Sequence, residues 1–250
     1  MINPISVVII VKNGAKTLRK TLLSVRHFEE VIVFNNGSTD ATQEIANEFE
    51  NVKIFDGSFD GFGQTKNKAL KLAKNDWVLI LDADEELENS LAHEILNRRL
   101  EEHTVYILKR RTFYGERLVR HCGWNKEKIR RLFNRKKTQF TSEKVHENVI
   151  MEGMRSAELC SGVVYHYSYQ DLDDFIKKIN HFSTLYAKDN AGKKYSSPIL
   201  AVASGIYSFI KTYIFKLGLL DGYVGLIIAF SHMATNFYKY MKLYEENRKR

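Results

Sequence analysis

The chain opens on an uninterrupted apolar, β-branched run, ISVVIIV at residues 5–11. Such a run fits a strand buried on both faces of a parallel sheet, because a half-exposed strand would alternate with polar residues. Leu18, Leu22, Leu23 and Val25, spaced among Lys and Arg, predict a helix over 15–27 with one apolar face. The pair then recurs three times: strands at 31–34, 52–55 and 77–81, each followed by a helix, at about 39–49, 61–73 and 89–101. Short apolar strands joined by amphipathic helices predict a doubly wound α/β sheet. Past residue 104 the rhythm changes. Residues 104–114, 129–133 and 162–166 read as strands with no periodic helix among them, and from residue 171 the chain reads as helices at 172–190, 198–217 and 223–245.

Composition narrows the class. With 250 residues, 44% hydrophobic and 27% charged, the chain suits one large soluble domain or a domain with an appendage. Its 2 Pro, Pro4 and Pro198, leave no proline-rich linker, and its 2 Cys, Cys122 and Cys160, sit in no CxxC or Cys/His cluster, which disfavours a disulfide scaffold or structural zinc. The start, MINPISVVIIV, has no basic n-region or small-residue cleavage site, so no signal peptide is expected and a reducing cytoplasm is the expected compartment. The net charge of +8 is concentrated: residues 109–137 alone hold twelve basic and two acidic side chains. That block favours an anionic partner, with a solvated basic face as the alternative. A nucleic-acid-binding module would explain the block alone, so nucleic acid is not expected as the partner.

The chemistry gathers at the strand ends. In open α/β sheets ligands bind beyond the carboxyl ends of the strands. Here those ends read Lys12-Asn13-Gly14, Asn35-Asn36-Gly37-Ser38-Thr39-Asp40 and Asp82-Ala83-Asp84. No G-x-G-x-x-G follows the first strand and no G-x-x-x-x-G-K-[ST] occurs, which argues against a dinucleotide site and a P-loop. Two carboxylates at i and i+2 can share a hard divalent ion, while Glu85-Glu86 beside them would equally suit a helix cap.

The segments ISVVIIVKNGAKTLRKTLLSV, EEVIVFNNGSTDAT, GFGQTKNKAL and WVLILDADEEL together resemble family 2 glycosyltransferases of the GT-A fold, and HCGW, IRRLF, VHE, YHYSY and SSPILA resemble the bacterial lipopolysaccharide inner-core β-1,4-glucosyltransferases. The resemblance covers essentially the whole chain. It implies an α/β fold, a GT-A type doubly wound, mostly parallel sheet, with a nucleotide-sugar-binding and catalytic domain at 1–170. A helical extension at 171–250 follows, associated with a membrane or a dimer partner. It implies an inverting, metal-dependent hexosyltransferase using Mg²⁺ or Mn²⁺, with a UDP-sugar donor, glucose by expectation, and a phosphorylated lipid-linked saccharide, a heptose of the inner core, as acceptor. Other family 2 acceptors, polyprenyl-phosphate or capsule precursors, are the alternative. A nucleotidyltransferase could share the sheet and carboxylate pair, though only KNGAK follows the first strand.

Carried over residue by residue, Val11 and Asn13 line the uracil pocket through the backbone. Asn36 stands where most relatives carry Asp, and Lys66 where most carry Arg. Asp82 binds ribose or metal and Asp84 the metal. Relatives commonly place the catalytic base in an E-D pair that is missing here; Glu147 is the candidate instead, with His146 orienting it or lining the pocket, and a surface carboxylate is the alternative. His166 completes the metal or diphosphate site or is a core histidine. Arg130 and Arg131 contact substrate, but strand alternation lets only one face the cleft. Trp124 stacks on a sugar or fills the core.

Residues 195–210 and 222–238 carry no charge and are flanked by Lys211, Lys216, Lys239 and Lys242. That is the composition of interfacial helices against an anionic leaflet, on the inner face of the cytoplasmic membrane; a helical subdomain or a homodimer interface is the alternative.

Overall fold

The computed structural model describes residues 3–125, 127–143 and 147–249. They form two compact units: the first takes residues up to 110 and from 127 to 166, the second the segment 111–126 and residues from 167 on. The sequence places a single boundary at 170. The structure instead assigns a basic, aromatic insert from within the α/β region to the helical unit.

In the first unit the apolar runs become β1 (Ile5–Val11), β2 (Glu30–Asn35), β3 (Val52–Asp56) and β4 (Trp77–Asp82). They pair in parallel in the order β3-β2-β1-β4. β1 is buried on both faces, as its unbroken apolar sequence requires. Val7, Ile9 and Val11 pack with Leu18 and Leu22 of α1 (Leu18–Ser24), Ile45 of α2 (Thr42–Asn47) and Leu91 and Ile95 of α4 (Asn89–Asn97). On the other face Val8, Ile32 and Ile80 pack with Ala69 and Leu70 of α3 (Phe62–Leu72). Helices on both faces make the sheet doubly wound.

Beyond β4 the sheet turns mixed. β5 (Glu85–Leu87), β6 (Thr104–Tyr114), β8 (Glu127–Asn134), β9 (Arg155–Glu158) and β10 (Val164–Tyr169) complete the order β3-β2-β1-β4-β8-β6-β10-β5, with β9 parallel on β6. β8 runs antiparallel to β4, and β5 antiparallel to β10. β5 and β9 lie outside the sequence expectation, because EEL and RSAE carry no apolar run. All four helices of this unit are shorter than their periodicity suggests: Asp40, inside the span expected for the second, instead precedes it, accepts from Ala15 N and Thr42 N and ties two loops together.

The second unit holds the two-residue strand β7 (Arg117–Leu118), paired with the end of β6, then three long helices. Asp171 caps α5 (Leu172–Asn190), its carboxylate accepting from Asp174 N at 3.0 Å. Ser197 caps α6 (Pro198–Ile210), with Pro198 in the first turn, where a missing N–H costs nothing. The periodicity predicts a helix to 217, but α6 ends at Ile210 in a π turn (Lys211–Phe215) and a 3-10 turn (Gly218–Asp221) before α7 (Gly222–Arg248). α7 lies between the other two. Phe175 of α5 packs on Val224 and Ile228, and Ser208 of α6 accepts from Asn236 Nδ2 at 2.9 Å. The insert is fastened to the turn after α6 by Asp221, which accepts from Arg120 N and His121 N.

Candidate functional site

The carboxyl ends of β1, β2 and β4 form one edge of the first unit, and the loops there are laced together. Asn36 N donates to Val11 O at 2.8 Å. Asn13 adopts φ +53°, a left-handed conformation Asn tolerates better than most residues, and its side-chain oxygen accepts from Thr39 N at 2.8 Å. Gly14 follows because a Cβ there would fall 2.6 Å from Val11 Cγ2. Val11, Asn13 and Asn36 therefore share one wall, with Asn13 holding the two loops together.

Beside this wall lies a cluster of buried charge. Asp82, at the end of β4, accepts from Arg131 Nη2 at 2.5 Å and lies 3.4 Å from Lys66 Nζ. Lys66, almost wholly buried on α3, reaches Glu147 Oε1 at 2.7 Å and sits 5.3 Å from the Phe140 ring centroid. Glu85 is fully buried and accepts from Asp82 N at 3.0 Å, Arg110 Nη1 at 3.0 Å and Arg131 Nη2 at 3.3 Å. Arg110 is completed by Glu127, its Nε donating at 3.0 Å. Charges so buried persist only when each has a partner of opposite sign. Burial alone would raise the Asp82 pKa, but Arg131, Lys66 and His166 hold it well below the usual carboxylate range. Burial alone would lower that of Arg131, and Asp82 and Glu85 more than offset it.

Asp84 lies two residues beyond Asp82, with Oδ2 at 3.5 Å from His166 Nε2. The β5–β10 ladder makes this meeting, setting His166 directly opposite Glu85. Among the described residues, two buried atoms at this edge have no hydrogen-bond partner: Asn36 Oδ1 and Arg131 Nε. One accepts and the other donates. Among the described residues, no group of three or more His, Cys, Asp or Glu is arranged to hold a metal ion by itself.

The expected site residues thus fall into groups. Lys66, Asp82, Arg131 and Glu147 meet in one cluster; Asp84 and His166 meet beside it; Val11, Asn13 and Asn36 form the wall. Two expectations need correction. Alternation along β8 buries Arg131 and leaves Arg130 exposed, opposite Ile107, so Arg130 is not part of the cluster. Trp124 belongs to the second unit, stacked on Tyr169 at 5.4 Å and Phe175 at 6.2 Å, which is the core alternative rather than a sugar platform. His146 lies outside the described residues. Glu147 is no loose surface carboxylate but an ion-pair partner of Lys66. Sequence reasoning missed Glu85 and Arg110. Period-2 reading of Glu85-Glu86-Leu87, buried, half-buried, buried, would have turned Glu85 inward, but three residues are too few to announce a strand.

Comparison with known proteins shows the family. Residues 6–160 match the family model described as Glycosyl transferase family 2. An uncharacterized glycosyltransferase of Rickettsia typhi is 30% identical over 96% of this chain and 87% of its own length. The lipopolysaccharide core biosynthesis glycosyltransferase LpsC of Rhizobium meliloti is 28% identical over 98% of this chain and 93% of its own length. Among solved structures, S. aureus TarS 1–349 in complex with UDP aligns with a TM-score of 0.49 at 15% identity, over 98% of this chain and 92% of that one. With strand ends, carboxylate pair and family model converging on the same 155-residue stretch (6–160), the chain belongs to glycosyltransferase family 2.

Proposed function

We propose that this enzyme transfers a hexose, glucose in the leading reading, from a UDP-sugar to a heptose of the lipopolysaccharide inner core with inversion at the anomeric carbon. The observation that carries the donor half is the pair of orphaned buried atoms at the strand ends, Asn36 Oδ1 and Arg131 Nε. A buried polar atom without a partner costs about 1–3 kcal/mol, and a bound ligand is a common reason a fold retains one. Asn36 Oδ1 can accept the N3–H of uracil, replacing the carboxylate usual at this position without adding charge. The acceptor half draws its support from the similarity to LpsC.

The residues divide the work. Val11 and Asn13 shape the uracil wall, and Asp82, held ionised by its cations, receives ribose hydroxyls. Asp84 and His166, one oxygen and one nitrogen donor at converging positions, suit a divalent ion whose remaining ligands come from a diphosphate, as such ions commonly bind. When bound, Mg²⁺ or Mn²⁺ would supply positive charge at the leaving diphosphate. Glu147, steered by Lys66, accepts the proton of the acceptor hydroxyl as that oxygen bonds to the anomeric carbon and UDP departs. The proposed seat is the cytoplasmic face of the inner membrane, where a lipid-linked acceptor resides.

The test is donor hydrolysis across a panel of UDP-sugars, with and without Mn²⁺. UDP-glucose should be cleaved fastest and only with the metal. Equal turnover of every UDP-sugar in EDTA would overturn the reading.

A further inference from the structure

The helical unit carries a surface that the transfer chemistry does not use. α6 buries only a narrow seam of small side chains against α7, chiefly Ala201 and Gly205; a Cβ on Gly205 would already approach Met233 O at 3.2 Å. Its opposite side is apolar and bare: Ile199 is 83% exposed, and Val202 and Ile206 lie beside it on the same face at i, i+3 and i+7 spacing. The surface continues around the turn, where Phe215 is 74% and Leu220 59% exposed, with Leu219 adjacent. Packing causes this outward display. A Cβ on Gly225 would lie 1.8 Å from Gly218 O, so the 3-10 turn rests directly on the α7 backbone and its leucines have nowhere to go but out. Leu217 is held at φ +56°, an unfavourable conformation for a branched side chain, and is half exposed as well.

Three observations say what covers this face. First, between Asn190 and Glu245 the chain has one acidic residue, Asp221. Its carboxylate is turned inward onto Arg120 N, His121 N and His121 Nδ1, leaving no exposed carboxylate at the turn. Second, exposed cations border the face: Lys211 lies over the Tyr207 ring and Arg117, beside the exposed Glu116, over the Tyr223 ring, aromatic–cation pairs of the kind found at headgroup level. Third, α7 is flanked along its length by α5, from Phe175 on Ile228 to Tyr186 on Tyr240, and α5 displays Asp173, Lys177, Lys188 and Asp189 to solvent. Pro198–Phe215 and Gly218–Arg248 are long and apolar enough to cross a membrane by length and composition. A hairpin sheathed on one side by a charged helix cannot sink through hydrocarbon.

We infer that the outer face of α6 and the turn after it form a wedge that enters one leaflet of an anionic phospholipid bilayer, without spanning it. Ile199, Val202, Ile206, Phe215, Leu219 and Leu220 would lie at the acyl boundary and Lys211, Lys216 and Arg117 among the headgroups. The inference gives a physical seat to the membrane-borne acceptor proposed above, yet its test needs no sugar.

The experiment is flotation of the full chain with vesicles of phosphatidylcholine alone or with phosphatidylglycerol. Wild type should float with the anionic vesicles at low salt, lose most binding as salt rises, and be released by alkaline carbonate. The double variant Phe215→Glu/Leu219→Glu should bind at least tenfold more weakly while keeping its circular dichroism and donor hydrolysis. Lys211→Glu, which reverses one charge, should weaken anionic binding about fivefold or more. Undiminished binding of the double variant, or resistance to carbonate, overturns the wedge. So does a wild type that ignores anionic vesicles and forms a dimer that the double variant dissolves, which would make a second copy the occupant. Loss of donor hydrolysis in wild type would count against the transfer reading alone.

Discussion

The two compact units depart from the usual distribution of side chains in opposite senses. The first buries charge: Lys66, Glu85 and Arg131 are buried and join the partly exposed Asp82 in one connected cluster. The second exposes hydrocarbon: Ile199 and Phe215 stand almost free. Most proteins avoid both, because unpaired buried charge and bare apolar surface each cost free energy. The charge cluster meets its cost internally through pairing, while the apolar face can be relieved only from outside. In the proposed reading the first departure is the site that handles a small charged ligand, and the second is the surface proposed to dock on a bilayer.

Substitutions should separate the two regions sharply. The largest effect is expected at Asp84. Asp84→Ala removes the carboxylate facing His166 and should lower transfer by about 10³-fold, with circular dichroism unchanged. Activity that survives both this change and EDTA would remove the metal from the mechanism. Arg131→Met should strike folding instead, since it leaves the fully buried Glu85 under-compensated and the partly exposed Asp82 with Lys66 as its main cation. About 3–5 kcal/mol of stability should disappear in urea denaturation, and a loss under 1 kcal/mol would mean that the cluster is well hydrated.

The depressed pKa of Asp82 fixes a pH dependence. Its folded value lies below the unfolded one of about 4, so its contribution is complete above about pH 5 and is lost as pH falls through and below 4. Acid unfolding followed by fluorescence should show this loss, and Asp82→Asn should flatten it. Activity between pH 5 and 9 should show no titration of Asp82.

Glu147→Gln preserves shape and the contact with Lys66 but removes the proton acceptor. Turnover should fall about 10²-fold while donor binding by calorimetry persists. Near wild-type turnover would shift the role to Glu143, whose carbonyl oxygen already accepts from Gly63 N. The smallest effect belongs to the second unit. Ile199→Ser and Phe215→Ser should each change stability in solution by no more than about 0.5 kcal/mol, because neither side chain is packed. A loss above 2 kcal/mol would show that another part of the molecule covers this face, and would erase the contrast.

Long-range meetings divide what was legible from what was not. β1 could be read from ISVVIIV, and α5 from the helical stretch at 172–190. Asn36, Lys66, Asp82 and Asp84 could be named from motif resemblance, since each lies at a strand end or within a helix in local sequence. That Lys66 would pair with Glu147, 81 positions away, could not be read, because no local pattern encodes the reach of α3 toward that loop. Nor could the choice between Arg130 and Arg131, which alternation leaves open until the strand has neighbours. Trp124 stays open in the sequence for the same reason: an aromatic beside basic residues suits a sugar platform or a core equally well until Tyr169 and Phe175 close on it.

The amino-acid sequence by itself determined the alternation of strand and helix, the edge at which polar residues gather and the two uncharged stretches near the end. Each follows from periodicity and composition, which act over a few residues. Tertiary structure alone decided which charges face one another, that His166 meets Asp84 across a ladder of short strands, and that the apolar side of α6 points outward. Those outcomes depend on register and packing between distant segments. There a shift of one residue turns every side chain to the opposite face.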